Sequence, residues 1–94
     1  MSAFGNLSGL GLPSREHTAI AEDVYAGFNS RANRYGRHAE QKNCAAMLTM
    51  LTEMAEAAGE YYGHTYGNNH THAEQIGERL EDARNNFARA CIRK

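Results

Sequence analysis

The sequence predicts an all-α protein, an antiparallel helical hairpin plus an N-terminal helix. Together they make either a three-helix bundle or a long kinked helix laid against the hairpin. Three observations carry this. Of the 94 residues, 15 are alanine, Glu, Arg and Met are frequent and Pro occurs once, a composition of strong helix formers. Three Ile, one Val and no Trp leave a sandwich or barrel without its material. Apolar residues also recur at three- and four-residue steps through three successive stretches. A chain of 10.4 kDa has room for one domain. A core that small supplies only a few kcal/mol, so a homodimer is expected.

Residues 1–13, MSAFGNLSGLGLP, hold three glycines and no charge, show no helical period, and set Leu12 before Pro13, which favours extended geometry. They are expected to be a flexible N-terminal arm, with residues 14–94 as a single helical domain. Phe4, Leu7, Leu10 and Leu12 are expected either to fold back onto the bundle or to dock on a partner or a second copy. The first helix should start at Ser14, a good N-cap, and carry Ile20, Val24 and Phe28 inward with Ala21, Ala32 and Tyr35 beside them. Gly36 is its expected end, as a sharp turn or a kink. Gly27 inside it costs up to about 1 kcal/mol relative to Ala unless a neighbouring helix crosses closely there.

The second helix should run from about residue 38 to 62, with Cys44, Met47, Leu48, Leu51, Met54, Ala55, Ala58, Tyr61 and Tyr62 on its seam. The third should open on a capping box between Thr71 and Glu74, followed by a seam of Ala73, Ile76, Leu80, Ala83, Phe87 and Ala90. Acids crowd its start and bases its end, matching the helix dipole. The connection over residues 63–70 is short, so these two helices should lie antiparallel, with Leu51 facing Leu80 and Ala83, and Met47 and Leu48 facing Phe87.

Charge and motif bound the function. A net charge of −1 excludes a globally basic polynucleotide binder and an acidic DNA mimic. No apolar run reaches the length of a membrane span, and the first 13 residues lack the pattern of a signal peptide, so a cytoplasmic protein is expected. Cys44 and Cys91 should come to the same end of the hairpin. A disulfide requires Cα atoms within about 7 Å; with no export signal, two unpaired buried thiols are the expectation. No nucleophile elbow or phosphate-binding glycine loop is present, so no catalytic residue, cofactor or enzymatic activity is expected. Glu53, Glu56 and Glu60 share one helix face, either as a solvated stripe or as a contact face for a basic protein surface.

Three surfaces remain as candidates. The segment of residues 59–71, GEYYGHTYGNNHT, combines Tyr, Gly, Asn and His, the residues of adaptable recognition loops. Its expected partner-binding residues are Tyr61, Tyr62, His64, Tyr66, Asn68, Asn69 and His70. Arg31, Arg34, Arg37 and Lys42 at the first helix junction should merge with Arg89 and Arg93 near the C-terminus into a basic pole. The histidines His64, His70 and His72 beside Glu60 and Glu74 offer a weaker third reading, a zinc or nickel site, although the glycine-rich loop holds no ligand rigidly. The function expected is therefore a non-enzymatic, homodimeric protein-binding module that regulates or inhibits a larger protein by occupying its surface. Phage- and plasmid-borne inhibitors of host machinery are an analogy of size and class only. The alternative is an accessory factor that touches nucleic acid through the basic pole.

Overall fold

A computed structural model describes residues 15–65 and 72–93, with side chains from residue 19 onward. The expected N-terminal arm, the Ser14 cap and Thr71 of the expected capping box lie outside the described residues. Helix α1 spans Arg15–Glu40, α2 spans Cys44–His64 and α3 spans Ala73–Phe87, running on into a π-helical turn, Ala88–Ile92. There is no strand among the described residues. The three helices form the expected bundle: α2 runs antiparallel to both neighbours, and α1 and α3 run parallel.

Gly36 does not end the first helix, because α1 passes through it to Glu40. The reason is visible one turn later: Ala39, four residues beyond Tyr35, still packs on the core. Continuing the helix therefore keeps burying apolar surface. The helix ends instead in a Schellman closure. Asn43 N–H donates to His38 O (3.0 Å) and Lys42 N–H to Ala39 O (3.0 Å). Lys42 takes the left-handed conformation usually left to glycine, with φ 56°. Asn43 then caps α2, its side chain accepting from Ala46 N–H at 3.1 Å. A turn this tight makes α1 and α2 the main hairpin, and α2 packs more extensively on α1 than on α3.

That arrangement redistributes the core. On α1 the buried positions are Ala21, Phe28 and Tyr35, seven apart, while Ile20 is 40% exposed and does not belong to the inner stripe. On α2 the expected Met47, Met54, Ala58 and Tyr61 are buried, joined by Met50 and by Ala57, which lines the groove shared with α1. Leu51 is only half-buried and Leu48 is 50% exposed, so Leu48 is not part of the buried seam as expected. On α3, Ile76, Leu80 and Ala83 are buried, Phe87 is half-buried and Ala90 is exposed. The π turn, closed by Arg93 N–H to Ala88 O at 2.8 Å, puts Cys91 on the core side where the α-helical seam predicted Ala90.

Polar pairs set the register between α1 and α3. Glu22 with His72, Tyr25 with Gln75 and Asn29 with Arg79 are each 50 residues apart, which fixes the parallel register. Helix α3 starts after His72, one residue later than the expected capping box, and His72 makes no side-chain cap. Its backbone N–H is instead taken by the hydroxyl oxygen of Tyr61 at 3.2 Å.

Candidate functional site

The two cysteines set the geometry of one end of the bundle. Cys44 is the first residue of α2 and Cys91 lies in the π turn; their Cα atoms are 5.9 Å apart and they form a disulfide. This overturns the expectation of unpaired thiols. The geometric condition was legible, but the redox state was not. Met47, buried beneath, places its Sδ 3.8 Å from Cys91 Sγ. The disulfide holds the end of α3 against the α1–α2 turn, so Arg34, Arg37 and Lys42 share this end with Arg89 and Arg93, all exposed. Arg31 departs from the group. Its guanidinium folds back along α1, donating to Gly27 O at 2.9 Å and pairing with Glu53 at 3.4 Å. This also accounts for Gly27: a Cβ there would lie 2.9 Å from Arg31 Nη1, so the close neighbour is an arginine rather than a crossing helix.

The opposite end holds the tyrosine segment. Tyr61 is fully buried, its ring beside Tyr25 and His72, so it belongs to the core and not to a partner-facing surface. Tyr62 is 41% exposed; its side chain reaches α3, where its hydroxyl donates to Ala73 O at 3.3 Å and sits 3.6 Å from where a Cβ on Gly77 would stand. His64 is half-buried in the last turn of α2, and Thr65 is buried, its hydroxyl donating to Tyr61 O at 3.1 Å. Tyr66, Asn68, Asn69 and His70 lie outside the described residues. His72 stacks on Tyr25 with ring centroids 3.7 Å apart and puts Nε2 3.3 Å from Glu22 Oε1. It is thus bound into the α1–α3 contact, and the residues that hold it, Glu22 and Tyr25, lay off every seam read from the sequence. Among the described residues no group of three His, Cys, Asp or Glu side chains is placed to hold a metal ion.

Two grooves and one stripe mark the sides. Between α1 and α2 lies a groove of about 480 Å³, with Ile20, Val24 and Ala57 along it and Asp23, Glu53, Glu56 and Glu60 on its rims. The three glutamates noticed in the sequence therefore line a groove, and Asp23 joins them from the other helix. A second groove of about 320 Å³ lies between α1 and α3 beside Tyr35 and Asn86. Burial raises the Tyr35 phenol above the usual tyrosine range. Its hydroxyl reaches Ala83 O at 3.0 Å and Asn86 Oδ1 at 2.8 Å. On α2, away from α1, Leu48, Leu51, Ala55 and Tyr62 follow at steps of three, four and seven, none fully buried. Ile92, 65% exposed, sits at the end of the π turn.

The fold and these surfaces define a disulfide-linked helical bundle. No protein-family model, no curated protein and no solved structure matches the chain. No described helix is long and apolar enough to cross a membrane.

Proposed function

We propose that this chain is a non-enzymatic, homodimeric protein-binding module, a small regulator or inhibitor that acts by occupying a surface of a larger protein. The observation that carries this is an apolar row on α2 in which Leu48 and Tyr62 are exposed while Leu51 and Ala55 between them are half-buried. A chain with so few large aliphatic residues has little reason to expose Leu48 by half, and a partly exposed apolar row on a rigid helix is the form of a helix-face contact. Tyr62 adds an aromatic anchor at the edge of the tyrosine segment. The disulfide favours an oxidising compartment over the expected cytoplasm.

The test is capture of the partner from the native host on the immobilised chain, repeated with Leu48→Asp, Tyr62→Ala and the exposed control Glu78→Ala. Each stripe substitution should weaken binding by about 1–3 kcal/mol, and the control should not. Equal retention by all four chains would overturn the reading. One observation favours a second reading: Arg37, Lys42, Arg89 and Arg93 do share one end, which suits contact with nucleic acid. Binding to a random polynucleotide that falls steeply with salt and survives Leu48→Asp would support it.

A further inference from the structure

The charges on the α1–α2 face are sorted by sign along its length. Asp23 on α1 and Glu56 and Glu60 on α2 occupy one half, around the groove end where Ile20 is exposed. Following Asp23, Gly27 and Arg31 along α1 at steps of four and then three comes Arg34, with Arg37 three further on and Lys42 in the turn. These occupy the other half. All six side chains sit on exposed residues, and none is paired with another described residue. Between the halves sits the Arg31–Glu53 pair, already neutralised within the chain. Three free acids therefore stand opposite three free bases. The midpoint of Asp23 and Arg37 falls one residue from Arg31.

We propose that this face is a self-complementary interface that joins two copies of the chain antiparallel, about a twofold axis at the Arg31–Glu53 pair. The proposal rests on the homodimeric part of the function proposed above and names its surface. A closed twofold contact needs one patch in which residue i meets j while j meets i. Rotation about Arg31 supplies that: Arg34, Arg37 and Lys42 of each copy come over Asp23, Glu56 and Glu60 of the other. From Asp23 to Arg34 is 11 residues, about 16 Å of helix at 1.5 Å per residue, so the two charge sets are well separated and the register is unambiguous. A parallel pairing would set acid on acid and base on base. The ion pairs chiefly fix register and orientation, since exposed pairs are individually weak. Covering Ile20 and the groove adds the apolar part, and the dimer is therefore expected at micromolar concentration and to weaken with salt.

The test uses the full oxidised chain in sedimentation velocity across the micromolar range. The variants are Glu56→Arg/Glu60→Arg and Arg34→Glu/Arg37→Glu, all at exposed positions, with unchanged helical circular dichroism as the folding control. The native chain should be a dimer. Each variant alone should dissociate at least tenfold more readily, because both symmetric contacts become repulsive. An equimolar mixture of the two should restore the dimer, since each reversed patch then meets its reversed complement. Variants that dimerise like the native chain would overturn this interface and leave a homodimer through another surface. Variants that stay monomeric when mixed would also overturn it. A native chain that is monomeric throughout would overturn both this interface and the homodimer.

Discussion

Removing the disulfide is the perturbation with the largest expected effect on the fold. Cys44 and Cys91 are separated by 47 residues, so the bond closes a loop over half the chain. Chain-entropy reasoning for a loop of that size gives about 4 kcal/mol at 25 °C. A domain of this length has a total stability of roughly 5–14 kcal/mol, so the bond supplies a large share of it. Urea unfolding followed by circular dichroism, with and without a thiol reductant, should show the reduced chain losing about 4 kcal/mol. With a urea slope of roughly 1–2 kcal/mol/M, the midpoint should fall by about 2–4 M. The double substitution Cys44→Ala/Cys91→Ala should lose a similar amount and no longer respond to reductant. The alternative is that the bond merely pins the π turn, so that reduction frays residues 88–93 and little else. A midpoint shift below about 0.5 M, with amide exchange faster only at Arg93 and its neighbours, would refute the loop-closure reasoning.

Two further substitutions probe the helices directly. Tyr35→Phe removes a buried hydroxyl bonded to α3 and should cost about 1 kcal/mol at neutral pH. Because burial raises the folded-state pKa of Tyr35, the folded chain holds that proton longer than the unfolded one. The stabilisation is thus complete below the ordinary tyrosine range and is lost as pH rises through the raised value, so alkaline melting curves should fall less steeply for Tyr35→Phe than for the native chain. Gly36→Ala should raise stability by about 0.5–1 kcal/mol, since Gly36 is exposed inside α1 and an added Cβ meets nothing within 4 Å. A loss of stability in thermal melts would mean that Gly36 does turn the chain.

Much of the fold was legible because apolar spacing registers burial wherever one neighbour dominates. The α3 seam of Ile76, Leu80 and Ala83 has that property, and so do Phe28 and Tyr35 on α1. Helix α2 has two neighbours, and its inner arc is wider than a single stripe. The single seam omits Met50 and Ala57, which widen the buried arc, and includes Leu48, which lies past its edge. Of the basic pole, Arg34, Arg37, Lys42, Arg89 and Arg93 could be placed from helix topology alone. Arg31 could not, because its position depends on a glycine four residues earlier that leaves the backbone carbonyl open to its guanidinium.

The end of α1 shows what a local signal can and cannot decide. Gly36 has the residue type for a helix stop and Lys42 does not, yet the chain turns at Lys42. A left-handed lysine costs of order 1 kcal/mol. Stopping at Gly36 would have forfeited the packing of Ala39 and moved Asn43 away from the start of α2, where its cap satisfies Ala46 N–H. That cap alone contributes about 1 kcal/mol, and burial of a methyl group adds to it, so the later turn wins. The same choice brings Cys44 to the first position of α2, opposite Cys91. Had α1 ended at Gly36, the cysteine pair would have lost its register. The turn at Lys42, the cap at Asn43 and the bond at Cys44 are therefore one solution, reached in three consecutive residues. The signal that could have revealed it was the good N-cap residue at Asn43, set directly before the run Cys44, Met47, Met50 and Met54.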